Sequence, residues 1–496
     1  MSSVNKDLKE KIIKDTAKYN FAQYGSQFFG FFSAMAMRKF LGPYFVGVWS
    51  LLGVIMDSCN LMDLGVGTAA TYKIPFFKGK QDDQAQKDIT NSAFSFILIT
   101  SSFASAMVLI AAFILRNKHP KTIIAGLIIA SFYMLLRKLY SYYIVVLRAN
   151  SNFYVINRAV IFDAIVNLIL ILLLVKNFKI YGLYVTVILM AVFNISFMHY
   201  FAKYKILFAL KKDVVRSLLQ YGFPLLILGI LGATLRSIDR IMIAKMLGVT
   251  FVGYYSLAIM AKNYVGGFSN NFGIVTIPRI LEAYGKEEKI EHIKKFVTVS
   301  AEIISYLLPV LLGVIFLACP LFVSKVLPKF IPGILAVQIL LLDIFFRSCS
   351  PQADQFIVAL GKQSRIIPIN IITILINVVL NYTLIKKGYG IYGVALGTAV
   401  ASFFNFIVIL IYAMKHFANA KEILVFIGRI MFPIAYISAV VVISTYFINI
   451  GNPYIRLIIN LSILFIAAVP LFFYIDRRTR ILRIMFNFLS KGKART

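Results

Sequence analysis

The chain has 496 residues, of which 60% are hydrophobic and only 15% are charged. Soluble globular domains carry about 25% charged residues, so a water-soluble fold of this size is excluded and a lipid environment is required. The 52 Lys and Arg against 20 Asp and Glu give a formal charge of +32, and the position of those bases along the chain decides what the charge means.

The opening stretch "MSSVNKDLKEKIIKD" is polar and lacks a short apolar core followed by small residues, so a cleaved signal peptide is not expected. Apolar runs long enough to cross a hydrocarbon core of about 30 Å then follow almost without interruption. In chain order they lie near 17–37, 45–71, 89–115, 121–147, 155–175, 180–202, 217–244, 251–277, 295–318, 332–358, 366–385, 390–414, 424–448 and 454–475. No stretch between them is large enough for a soluble domain. The expectation is an all-α polytopic membrane protein with about 14 transmembrane helices.

Basic residues concentrate in alternate connections, such as Lys73, Lys78, Lys80 and Lys87 between spans 2 and 3, and in the two terminal segments. The positive-inside rule then places both termini in the cytoplasm and reads most of the charge as an orientation signal, which sets nucleic acid aside as a partner. The tail "RRTRILRIMFNFLSKGKART" interleaves bases with Ile481, Leu482, Ile484, Met485, Phe486, Phe488 and Leu489, the pattern of a helix lying on an anionic membrane surface. Cys59, Cys319 and Cys349 are scattered through apolar runs, which excludes a disulfide framework. His119, His199, His292 and His416 are equally dispersed and form no metal cluster.

The chain contains itself twice. "KFLGPYFVGVWSL" from Lys39 and "KMLGVTFVGYYSL" from Lys245 agree at eight of thirteen positions without a gap, at an offset of 206. "IYGLYVTVILMAVFN" ending at Asn194 and "IYGVALGTAVASFFN" ending at Asn405 echo each other at an offset of 211. The unit is six spans long, and an even number means that both copies enter the membrane in the same direction. The expected organisation is a six-helix bundle over 1–203, a second over 204–416, two added helices over 417–475 and a basic amphipathic tail over 476–496. Parallel repeats of this kind place a substrate between bundles that rock against each other, which makes a transporter the leading class. Gly42, Gly47, Gly248 and Gly253 in the repeated element suit a tight turn and close helix approach.

Charges inside the spans are the candidate functional residues, since each costs about 2.5–3.5 kcal/mol near mid-membrane. Span 7 carries Arg236, Asp239 and Arg240. Arg236 and Arg240 share a face at i,i+4, and Asp239 is placed to pair with Arg236. Span 10 carries Asp343 and Arg347, span 8 Lys262, span 4 Arg137 and Lys138, and span 2 Asp57 and Asp63. One reading makes these interhelical salt bridges. The other makes Arg236, Arg240, Lys262, Arg347, Arg137 and Lys138 the lining of an anion site, because arginine grips phosphate with two parallel hydrogen bonds and stays charged when desolvated. Asp57, Asp239 and Asp343 are candidate ion-coupling carboxylates or fixed salt-bridge partners. Asp163 and Glu302, nearer the span ends, are expected to be solvated. Tyr19, Tyr24, Tyr254, Tyr255 and Tyr264 are available to stack on sugar rings or simply to pack. No phosphate-binding loop of the Gly-x-x-x-x-Gly-Lys-Ser/Thr type occurs, so no cofactor is expected and energy is assigned to an H⁺ or Na⁺ gradient, the membrane potential or the substrate gradient.

Twelve spans in two parallel halves, two further spans, the segment "SIDRIMIAKMLGVTFVGYYSLA" and the basic cytoplasmic ends together resemble the Wzx-type polysaccharide flippases of the multidrug/oligosaccharidyl-lipid/polysaccharide exporter (MOP) superfamily. The resemblance implies a non-enzymatic transporter for O-antigen or capsule repeat units in the plasma (inner) membrane of a prokaryote. It would move a polyprenyl-pyrophosphate-linked glycan to the outer leaflet by ion-coupled alternating access, alongside polysaccharide polymerase machinery. The alternatives are a multidrug exporter of the same superfamily, whose cation site should be acidic, a lipid II flippase, and a membrane glycan polymerase or glycosyltransferase. The last would need a sizeable extramembrane loop with carboxylates or a metal.

Overall fold

A computed structural model describes residues 2–58, 61–150, 152–202, 207–266, 290–360 and 362–479. The second part of span 8 (267–277), residues 480–496 of the basic tail and Cys59 lie outside the described residues.

The chain is helical, with no strand among the described residues. In order the helices are α1 (Ser2–Ser58), α2 (Val66–Gly79), α3 (Asp83–Leu115), α4 (Lys121–Ala149), α5 (Phe153–Leu170), α6 (Lys176–Ala202), α7 (Lys212–Met246), α8 (249–266) and α9 (Ile290–Val326). They continue with α10 (Ile334–Cys349), α11 (Pro351–Ala359), α12 (Ile366–Lys386), α13 (Gly390–Met414), α14 (Ala420–Phe447) and α15 (Pro453–Thr479). Eleven stretches among the described residues are long and apolar enough to cross a membrane. Two of these, Phe21–Ser58 and Tyr154–Phe201, each contain two expected spans joined through a kink. The polytopic all-α class therefore holds.

Two features depart from uniform spans. The run expected over 45–71 is not one helix: α1 ends at Ser58, and α2 begins only after a turn in which Leu64 and Gly65 take φ of 50° and 82°. Asp63 holds that turn by accepting the Gly65 N–H at 3.0 Å. The run expected over 332–358 is likewise two helices, α10 and α11, broken at Ser350 before Pro351.

Two compact units result, Met1–Ser256 and Leu257–Thr496. In the first, α2 packs on α3, α4 and α7, and the apolar faces meet around Ala69, Ile74, Ile97, Tyr142 and Leu218. In the second, α12 and α10 pack on α13 around Phe345, Phe356 and Phe406, while α14 and α15 lie against α9 around Val310, Ile437 and Leu464. Large side chains such as Phe21, Phe103, Phe113, Ile466 and Tyr446 point outward, as lipid-facing residues do.

The repeated glycine element explains its own composition. Gly42 and Gly248 have φ of 74° and 104°, a region L side chains avoid, and each ends one helical segment and starts the next. A Cβ on Gly47 would strike the Val249 carbonyl oxygen, and one on Gly253 would strike that of Pro43. The turns of the two copies are thus pressed together backbone to backbone, each glycine admitting the other copy's turn.

Candidate functional site

In the first unit the charges converge where α1, α4 and α7 meet. Arg240 reaches from α7 to α1, where Nη1 donates to the Ser50 carbonyl at 3.1 Å, and Gly53 alongside leaves room for the guanidinium. Its Nη2 donates back to the Arg236 carbonyl at 3.4 Å, and its Nε is buried with no hydrogen-bond partner. Arg236 is exposed and lies back over Gly232, as helical side chains lean toward the preceding turn.

Asp239 is buried and does not serve Arg236. Its Oδ2 accepts from the Tyr255 hydroxyl at 2.9 Å, which ties α7 to α8. The i,i+3 pair anticipated from spacing is thus replaced by a contact across the turn, because the buried phenol satisfies the carboxylate away from solvent. Neither Arg236 nor Arg240 forms an ion pair among the described residues.

The other bases are neutralised. Arg137 pairs with Asp57 at 3.3 Å, with both side chains substantially exposed. Lys138 pairs with Asp63 at 2.8 Å, with both buried, beside a cavity of about 340 Å³ that Thr68, Thr71 and Ser141 also line. Arg137 and Lys138 therefore face different carboxylates, consistent with the roughly 100° between consecutive helix positions.

In the second unit, Asp343 on α10 is fully buried and receives two cations: Lys262 at 2.7 Å and Arg347 at 2.8 Å. The Ser402 hydroxyl on α13 donates to the same carboxylate. One carboxylate thus holds α8, α10 and α13 together.

Several charged residues stood out of view in the sequence. Glu302, expected to be solvated, is 1% exposed and is bound by Arg429 at 3.0 Å and Arg478 at 2.9 Å. The added helices α14 and α15 cover it by docking on α9, which hydropathy along the chain does not reveal. Arg38, next to the repeated turn, is 7% exposed and donates to the Ala34 and Ser256 carbonyls at 3.0 Å each. Its signal was its place four residues before the glycine, where a base at a span end reads as solvent-facing.

No group of three or more His, Cys, Asp or Glu side chains suited to a metal ion occurs among the described residues. Of the six basic residues singled out, Arg236 and Arg240 alone make no direct ion pair among the described residues, although Asp57 and Asp239 lie within electrostatic range of Arg240.

Residues 37–329 match the family described as "Polysaccharide biosynthesis protein". A comparison with curated protein sequences gives no match. Among solved structures, the lipid II flippase MurJ in an inward closed conformation is similar with a TM-score of 0.66 at 16% identity, covering 93% of this chain and 99% of that one. An inward-facing multidrug resistance transporter of the MATE family gives 0.62 at 15% identity, covering 81% and 94%. A MOP superfamily transporter from Pyrococcus furiosus gives 0.57 at 14% identity, covering 82% and 95%. At such identities the likeness concerns the fold. With more than half its length matched by that family and the fold of MOP-superfamily transporters, this multi-pass membrane chain belongs to the polysaccharide biosynthesis protein family.

Proposed function

We propose that the chain is a flippase for a polyprenyl-pyrophosphate-linked oligosaccharide, carrying it from the cytoplasmic to the outer leaflet of a prokaryotic plasma membrane. The observation that carries this reading is the pair Arg236 and Arg240, which keep two positive charges on one turn of α7 with no direct ion pair to a carboxylate among the described residues, Asp57 and Asp239 acting on Arg240 only at longer range. A charge inside a span is costly to leave uncompensated, which favours an anionic ligand for the pair. A pyrophosphate carries at least two negative charges and planar oxygens that accept forked arginine bonds. An organic cation, the cargo of a multidrug exporter, would be repelled there.

Arg137, Lys138, Lys262 and Arg347 take a second role in this reading. Their carboxylates hold helices together, and Arg137, the most exposed of the four, is free to swing toward a headgroup while its partner Asp57 is half-exposed. Asp57, Asp239 and Asp343 remain the carboxylates through which H⁺ or Na⁺ would couple, since transport against a gradient needs a site that changes charge. Both termini face the cytoplasm, and a polysaccharide polymerase on the outer face receives the product.

The test is translocation of a pyrophosphate-linked oligosaccharide lipid in proteoliposomes, comparing wild type with Arg236→Ala, Arg240→Ala and the double variant after folding is verified by gel filtration. Transport should fall about tenfold or more per arginine, the loss of one charge-assisted bond. Full transport by a folded double variant would remove the anion-binding role from α7. Equal transport of lipid II would widen the glycan specificity without touching the pyrophosphate site.

A further inference from the structure

Two further bases, Lys325 on α9 and Arg456 on the added helix α15, flank a cavity that the transport reading does not use. Where α9, α10, α14 and α15 meet, a cavity of about 460 Å³ is lined by Lys325, Gln338, Arg456 and Asn460. It shares Phe316 and Gln338 with an apolar groove of about 240 Å³ that runs along α9 past Gly313 to Pro309. From Leu321 to Pro309 is twelve residues, about 18 Å at the helical rise. That is close to the roughly 15 Å depth of one hydrocarbon leaflet.

The chemistry at the mouth is specific. Arg456 spends one Nη on the Thr445 carbonyl at 2.8 Å, and Lys325 lies 5.9 Å from the Tyr454 ring. The sequence has no Asp or Glu between Glu302 and Asp343 or between Glu422 and Asp476, so these helices supply no counter-ion for either base. Asn460 is 3% exposed, and its Oδ1 has no hydrogen-bond partner. A buried amide oxygen left unpaired costs free energy unless a ligand donates to it.

We propose that this groove binds an anionic glycerophospholipid whose headgroup carries a free hydroxyl. The phosphodiester sits between Lys325 and Arg456, the headgroup hydroxyl donates to Asn460 Oδ1, and one acyl chain fills the groove to Pro309. The length argues for an acyl chain over a polyprenyl tail, which would overrun a groove one leaflet deep. Lys325 and Arg456 lie at the ends of α9 and α15 that the basic-residue count puts on the outer face, so the lipid comes from the outer leaflet. Bound there, it joins α14 and α15 to α9 on the side opposite Glu302, where Arg429 and Arg478 make the same junction with protein groups alone.

The test is native mass spectrometry of the full chain in detergent, titrated with phosphatidylglycerol, phosphatidylmethanol or phosphatidylcholine. Phosphatidylmethanol has the phosphodiester without the hydroxyl. Wild type should hold one phosphatidylglycerol about tenfold or more tighter than phosphatidylcholine, and the Lys325→Gln/Arg456→Gln variant should lose that preference. Asn460→Leu should bind phosphatidylmethanol as wild type does while losing the preference for phosphatidylglycerol over it. Equal binding of all three lipids by wild type, or an unchanged preference in the folded double variant, overturns the proposal. Displacement of phosphatidylglycerol by an equimolar polyprenyl phosphate also overturns it, and assigns the groove to a polyprenyl lipid instead. Should Asn460→Leu fail to fold, Asn460→Ser supplies the same comparison.

Discussion

Replacing Asp343 by Asn tests how the buried charges hold the second unit. The carboxylate is fully buried, with Lys262 at 2.7 Å, Arg347 at 2.8 Å and the Ser402 hydroxyl as its three donors. Asparagine keeps the shape and removes the charge, leaving two cations that repel each other and are only partly open to solvent. Two interhelical hydrogen bonds, from Lys262 and Ser402, at the membrane average of about 0.6 kcal/mol give a floor near about 1 kcal/mol. Breaking a buried ion pair from one side gives a ceiling of about 3–5 kcal/mol. At about 2–4 °C per kcal/mol for a unit of this size, the midpoint should fall by about 2 °C at least. The assay is thermal unfolding in detergent, followed by loss of monodispersity. Adding Lys262→Met to Asp343→Asn should recover part of the loss, since it removes one of the two cations that face each other across the neutral amide. A shift under about 1 °C for Asp343→Asn, with no recovery in the double variant, would mean that the carboxyl is protonated in the native protein, and the charge argument would fail.

Two further predictions concern the backbone of the repeat. Lys179 has φ 52° and ψ −129°, and at the repeat offset of 211 its counterpart is Gly390, with φ 54°. A side chain in that region costs on the order of 1–3 kcal/mol, part of which glycine returns as unfolded-chain entropy, so Lys179→Gly should stabilise by about 1 kcal/mol and raise the melting midpoint. An unchanged or lower midpoint refutes the strain. Gly253→Ala should destabilise by about 1–3 kcal/mol because the new methyl meets the Pro43 carbonyl, whereas Gly25→Ala, with open space around a helical position, should stabilise by up to about 1 kcal/mol. Midpoints that move in the same direction for both substitutions would remove the close approach as the reason for Gly253.

The sequence by itself determined the membrane class, most of the spans and the role of the glycines in the repeated element. These are local properties: a run of apolar side chains must enter lipid wherever it lies, and a glycine needed at positive φ is marked by its own position and its echo 206 residues away. The turn at Leu64 and Gly65 was not legible, because the residues around it are apolar enough to continue a span and the break is fixed by the Asp63 carboxylate capping the Gly65 N–H. Nor did the sequence say which charges would meet. Spacing offered Asp239 to Arg236, and Tyr255 took it; hydropathy left Glu302 in water, and α14 and α15 buried it under Arg429 and Arg478. The candidate site was legible as a set of costly charges and illegible as a geometry. Whether a membrane arginine is a salt-bridge partner or an anion ligand depends on carboxylates dozens to hundreds of residues distant, such as Asp57 for Arg137 and Glu302 for Arg429, and only packing brings those within 4 Å. Tertiary structure thus decided that Arg137, Lys138 and Lys262 are paired and that Arg236 and Arg240 make no direct ion pair among the described residues, because such a pair is a property of two distant positions and hydropathy is a property of one; Arg347, four residues from Asp343 on its own helix, was the local exception.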